Sequence, residues 1–274
     1  MFGQDKLFER NVSRLEGLEI NQMRRLLKLY KEARAQLQND LLFTPDNTFT
    51  EARMEYALQQ VNLMIAALRN RLNEELQFGF DNLFEQGVED SGNEINKLEK
   101  VFNGVSTAPV PIDAILASTQ PENFLFNQYQ SSVENYNDNV RAEFQRVLSQ
   151  SLLQNKTWSQ AVFDMETVFR DSEYKLQRIV RTELHNIYNV AKLKGFGQIR
   201  EDYFPDLKKT LYHPMDSRTG ADSKKADQDN LIVALDKPFK YTFKGKQRVF
   251  MSPPDRPNDR AILIPYRSSY DKGD

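Results

Sequence analysis

The stretch EARMEYALQQVNLMIAALRNRLNEELQFGFDNLF, residues 51–84, decides the fold class. Its apolar residues Met54, Leu58, Val61, Ile65, Leu68, Leu72, Leu76, Phe80 and Leu83 alternate steps of four and three before a run of fours, the pattern of a heptad seam with one stutter. A helix with such a stripe needs a partner to cover it. Upstream, from Lys6 to Leu42, Leu7, Val12, Leu15, Leu18, Met23, Leu26, Leu27, Tyr30, Ala33 and Leu37 recur at helical spacing with no proline, interrupted only by Gly17. This predicts one long helix, or two joined at Gly17. Pro45, Asp46 and Asn47 break the pattern, and Thr48 lies three residues before Glu51, the spacing of a capping box. The first helix can fold back on the second as an antiparallel hairpin, or another subunit can supply the partner. Met54, Leu58, Val61, Ile65, Leu68 and Leu72 are therefore the candidate self-association seam.

Downstream the helical signal thins between Gly87 and Gln120, where Gly92, Gly104 and residues 106–111 read as linker with a short helix from Glu94 to Phe102. Helix resumes at Pro121, carrying Phe124, Tyr129, Val133, Tyr136, Val140, Phe144 and Leu148, and ends near Asn155. Thr157 and Gln160 form a second capping-box pair, opening a short helix to Phe169. Asp171 or Ser172 is expected to cap another helix with the stripe Leu176, Val180, Leu184, Ile187 and Ala191, ended by Gly195 or Gly197. Beyond Gly197 short apolar runs replace long periods: residues 207–213, 231–235, 239–243, 247–251 and 261–265 read as strands, the third and fourth joined at Lys244-Gly245 as a hairpin. The tail after Arg267 is expected to fray. The fold class is α+β, mainly α: a long N-terminal helical hairpin or bundle with a small C-terminal α+β domain. The expected division is 1–105 long helices with coiled-coil potential, 106–169 linker plus helix, and 170–274 the α+β domain.

The 274 residues carry 37 Lys and Arg against 39 Asp and Glu, a net charge of −2, so no bulk positive field draws the chain to nucleic acid or acidic membrane. Any DNA contact must be local. The absence of cysteine excludes disulfides, thiolate metal sites and a cysteine nucleophile. No apolar run suggests a secretion signal or membrane span, and a soluble protein is expected.

The densest polar segments are Tyr212–Asp227 and Ser252–Tyr266. Asp216, Ser217, Thr219 and Gly220 are turn formers, and Arg218 and Arg260 can pair with Asp216, Asp255 or Asp259, which reads as a salt-bridged loop. The two histidines, His185 and His213, lack partners at helical or elbow spacing, and no phosphate-binding glycine loop, GxSxG elbow or HExxH occurs. Arg178, Arg181 and Lys192 are candidate DNA contacts, on a helix whose interspersed acids favour a solvated face.

The ordered set Arg181-Thr182-Glu183, Tyr188-Asn189-Val190-Ala191, Asp216-Ser217-Arg218-Thr219 and Pro254-(x)2-Pro257-Asn258-(x)-Arg260 resembles the phage head-morphogenesis family of Mu F-like minor head proteins over residues 170–266. The resemblance implies a non-enzymatic virion protein without cofactor, a minor head protein incorporated during procapsid assembly. It would be made in the host cytoplasm, associate with the portal or major capsid protein at the capsid interior or portal vertex, self-associate, contact packaged DNA and leave with the genome. Many members place cysteines and a histidine in these loops; here Gly220, Ser223, Arg256, Asp259 and Ala261 stand in the corresponding regions, so no zinc site is expected. Hydrogen bonds and ion pairs would instead tie the loops together, through Arg181, Glu183, Asn189, Asp216, Arg218, Thr219, Pro257, Asn258 and Arg260, with Glu183 as the helix-borne partner. The alternatives are an internal head DNA-binding protein and a hydrolase or transferase centred on His213, Asp216 and Arg218.

Overall fold

The computed structural model describes residues 2–42, 49–102, 104, 109–121, 123–229, 231–257 and 259–271. Helix dominates: α1 (Phe2–Leu42), α2 (Glu51–Phe102), α3 (Ile112–Ser118), α4 (Asn123–Leu153) and α5 (Trp158–Asp202) precede β1 (Lys208–Tyr212), α6 (Ala221–Gln228), β2 (Val233–Ala234), β3 (Phe239–Phe243), β4 (Lys246–Phe250) and β5 (Ile262–Tyr266). The fold is α+β, mainly α, with long N-terminal helices and a small region of antiparallel strands. No helix among the described residues is long and apolar enough to cross a membrane.

The chain forms two compact units, each built from segments distant in sequence. They cut across the consecutive division 1–105, 106–169 and 170–274, because the long helices contribute different stretches to different units.

One unit comprises residues 20–78 and 126–180. Four helical segments bury one stripe each: Leu26, Tyr30 and Leu37 from α1, Val61, Leu68 and Leu72 from α2, Tyr129, Val133 and Phe144 from α4, and Met165, Leu176 and Val180 from α5. The Met54–Leu72 seam is thus largely occupied within the chain. Val61, Leu68 and Leu72 are buried, while Met54, Leu58 and Ile65 are half-buried. It serves as bundle core rather than as an open face awaiting another subunit, since burying it within the chain leaves little apolar area for a partner. Polar groups fix the pairing: the Tyr30 hydroxyl donates to Asn137 and its ring meets Tyr136 edge to face at 5.5 Å. Arg71 pairs with Glu32 at 2.8 Å. The turn into α5 is the expected capping box, with Thr157 N–H donating to Gln160 Oε1 at 3.0 Å and Gln160 N–H donating to Thr157 Oγ1 at 3.3 Å. The Trp158 indole N–H reaches back to the Leu41 carbonyl at 2.9 Å. The expected cap at Thr48 lies outside the described residues.

Ser172 starts no new helix. It sits inside α5, is buried and hydrogen-bonds Tyr136, so its hydroxyl has a partner across the bundle in place of a cap.

The other unit comprises residues 1–19, 79–125 and 181–274. Here α2 continues through Gly87 and Gly92, and α5 through Gly195 and Gly197, where linker and helix ends were expected. At Gly87 and Gly195 the reason is close approach of the two helices. A Cβ at Gly87 would lie 2.5 Å from the Tyr188 carbonyl oxygen, and one at Gly195 would lie 2.0 Å from Ser91 Oγ. These glycines let α2 and α5 touch, and the packing gained keeps both helices intact.

Antiparallel strands in the order β2-β1-β5 form one sheet, with Leu211 opposite Leu263. β3 and β4 form the hairpin expected around Lys244-Gly245, whose positive φ values of 48° and 74° are those of a type I′ turn. The expected frayed tail is instead a 3-10 turn, Ser268–Asp271: Tyr270 stacks on Phe102 at 5.2 Å and donates to Glu99 at 2.8 Å.

Candidate functional site

Three short polar systems hold the strand-bearing unit together, and Asn189, Lys192, Asp216, Arg218, Thr219 and Arg260, all singled out by the sequence, fall among them. The first joins the two polar loops. Asp216 accepts from its own loop, the Arg218 N–H at 2.9 Å, and from Arg260 Nη1 at 2.9 Å to both carboxylate oxygens. Arg260, followed by Arg218, holds the Asp216 carboxyl well below the usual carboxylate range. Thr219 closes the loop, its hydroxyl donating to the Pro214 carbonyl and accepting the Asp216 N–H at 3.1 Å. Both arginines also meet Glu16 of α1, Arg260 at 2.6 Å and Arg218 at 3.5 Å. Glu16 is thus a helix-borne acid of this cluster, and nothing in its local spacing singles it out. Glu183 is half-buried on α5, Arg181 is half-buried there without an ion pair among the described residues, and Pro257 is exposed. Asn258 lies outside the described residues.

Beside this clasp, Arg256 pairs with Asp255 and with Asp222 at 2.7 Å, and donates to Ser223 at 2.5 Å. Arg218, Arg256 and Arg260 line, together with His213, a recess of about 130 Å3. The three guanidiniums face Glu16, Asp216, Asp222, Asp255 and Asp259, so the recess is no concentrated positive site. Burial pushes His213 down despite Asp259 and Asp227 nearby, which keeps its imidazole neutral at physiological pH. Among the described residues no group of three or more His, Asp or Glu is placed to hold a metal ion.

The second system mounts β5 on α5. Asn189, fully buried, accepts the Leu263 N–H at 2.8 Å and donates to the His185 carbonyl at 3.0 Å, so a side-chain amide satisfies a strand edge. His185 donates from Nε2 to the Ala261 carbonyl at 2.6 Å and shares a proton with Glu19 of α1 across 2.9 Å from Nδ1. Burial alone would lower this histidine, but the Glu19 hydrogen bond and charge, the Ala261 carbonyl and Asp259 together raise it.

The third system is buried between α1, α2 and α5. Lys192 Nζ and Asn11 Nδ2 both donate to Glu94 Oε1, at 2.5 and 2.6 Å, while Arg14 and the Tyr188 hydroxyl bind Asp90 at 2.5 and 2.7 Å. Desolvation pushes Glu94 up to about 7 against the pull of Lys192. Lys192 is fully buried, which removes it from the candidate DNA contacts: its ammonium is a structural counter-ion. Arg178 is exposed in the helical unit. Sequence reasoning missed Glu16, Glu94 and Asp90 because each looks like an ordinary helix-surface acid. Only the helix that packs over it gives it a partner.

No family model, curated protein or solved structure matches the chain.

Proposed function

We propose that this chain is a non-enzymatic phage virion protein, a minor head protein that acts in procapsid assembly and docks on the portal or the inner capsid surface. The observation that carries this reading is the interlocking of the very segments that bear the resemblance. Asn189 of the α5 motif bonds β5 beside the final motif, and Asp216 of the first polar loop accepts from Arg260 of the last motif with both carboxylate oxygens. Loops whose charges are spent on one another suit a rigid docking module better than a reaction centre, in which perturbed groups stand free to meet substrate. Both histidines are likewise buried, and His185 is committed to Glu19 and Ala261.

Affinity capture of the full chain against purified portal and major capsid proteins tests the proposal. Stoichiometric retention by either protein is expected, with weakening on Glu16→Ala, which removes an acid that Arg218 and Arg260 share. No retention by either would refute the docking role.

A further inference from the structure

The segment KPFKYTFKGKQRVF, residues 237–250, contains four lysines and one arginine and no acid, within a chain of net charge −2. Lys237 is paired with its neighbour Asp236, whereas Lys240, Lys244, Lys246 and Arg248 meet no carboxylate among the described residues. Cross-strand register sorts the hairpin into two faces. Phe239, Tyr241 and Phe250 share the inner one, where Phe239 is fully buried and the Tyr241 hydroxyl donates to Asp255 at 2.7 Å. Lys240 opposite Val249 and Thr242 opposite Gln247 make the outer face, all four exposed, with Lys244 and Lys246 at the exposed tip.

The ribbon is also held stiffly at its base. Lys209 of β1, fully buried, donates from Nζ to the Leu235 carbonyl at 2.9 Å and the Met251 carbonyl at 2.7 Å, one just before β3 and one just after β4. Its ammonium lies 5.2 Å from the centre of the Phe239 ring. Both legs of the hairpin are thereby pinned to the sheet, which gives a fixed mount to Lys240 on the outer face and to Lys244 and Lys246 at the tip.

We infer that the β3–β4 hairpin is a docking ribbon for duplex DNA, with its outer face and tip set against the phosphates of the major groove. A two-stranded ribbon is the β element that this groove, about 12 Å wide, admits. Five-residue strands rising about 3.3 Å per residue reach roughly 17 Å along it. The aromatic residues face inward, so the outer face lacks the stacking platform that single strands require. A-form RNA presents a major groove too deep and narrow for such an insertion. The outer apolar content is a single Val249, too little for membrane insertion. This inference does not depend on the minor-head reading.

The test is fluorescence anisotropy of the full chain with a labelled 25-base-pair duplex of arbitrary sequence, titrated between 50 and 200 mM salt. Three phosphate contacts, from Lys240, Lys244 and Lys246, predict a log–log salt slope of about −2.7, and affinity falling about 40-fold over that range. Lys240→Gln/Lys244→Gln/Lys246→Gln should bring the slope close to zero and weaken binding at 50 mM by at least 10-fold. The corresponding lysine-to-arginine variant should retain it, and Arg178→Gln/Arg181→Gln should leave it unchanged. All substituted hairpin side chains are exposed, and an unchanged melting profile checks the fold. Absence of binding at 50 mM salt would overturn the inference. So would full binding by the triple glutamine variant, or tighter binding to a single strand, an RNA duplex, phosphatidylserine vesicles or polyglutamate.

Discussion

Adding one methyl group at Gly87 should destabilise the protein, whereas the same addition at Gly17 should stabilise it. Both glycines lie inside long helices, where alanine is favoured over glycine by about 1 kcal/mol. At Gly17 no atom lies within 4 Å of the added Cβ, so the whole gain is expected to appear as stability. At Gly87 the Cβ would meet the Tyr188 carbonyl oxygen at 2.5 Å, Ala191 Cβ at 2.7 Å and Lys192 N at 3.3 Å, against ordinary carbon contacts of about 3.5–4.0 Å. Two of these are backbone atoms of α5, so relief requires the helices to part by about 1 Å. Overpacking of that kind costs roughly 1–3 kcal/mol. The same separation stretches Glu94–Lys192 and Asp90–Tyr188, which lie within two turns of Gly87 along α2 and cannot follow a sliding helix. The net expectation for Gly87→Ala is a loss of about 1–2 kcal/mol, and for Gly17→Ala a gain of about 1 kcal/mol. Urea denaturation followed by far-ultraviolet circular dichroism gives both numbers, and Gly87→Ala/Ala191→Gly should recover part of the loss. A Gly87→Ala protein as stable as the parent would refute the claim that glycine is there for helix contact.

Three further outcomes follow from the buried polar systems. Lys192→Met should cost about 3–5 kcal/mol at pH 8, because the buried Glu94, deprived of its cation, must either hold an uncompensated charge or take up a proton, and Glu94→Gln/Lys192→Met should restore most of the loss in equilibrium unfolding. Because His185 is raised in the folded state, its stabilisation is fully present below pH about 6.5 and fades as pH rises through the folded value. Glu19→Gln should therefore cost more at pH 6 than at pH 9, and a loss independent of pH in denaturation would contradict the shared proton. Asn189→Leu should cost about 1–3 kcal/mol by orphaning the Leu263 N–H, with faster amide hydrogen exchange at Leu263 as the specific sign.

Much of the local structure is legible in the chain. Lys208–Tyr212, Phe239–Phe243 and Ile262–Tyr266 fall within or beside the runs expected as strands, and Lys244-Gly245 is the turn between β3 and β4. Thr157 and Gln160 cap α5 as their spacing requires. The loop partners Asp216 and Arg260 could be named from their chemistry alone, since complementary charges in two turn-rich segments have few other uses. What misled was glycine: Gly87 and Gly195 look like helix ends when the cost of glycine is weighed without the close packing it permits.

Sequence alone determined most of the helical and extended segments, though not where α2 and α5 end, because periodicity, capping spacing and turn chemistry act over a few neighbouring residues. Only the tertiary structure decided that the Met54–Leu72 seam is largely core, that Lys192 is a buried counter-ion, and that Glu16 and Glu19 of α1 serve residues more than 150 positions away. Those outcomes depend on which faces meet across the fold. A stripe, a lysine and a glutamate each carry the same local signature whether water or another helix lies against them.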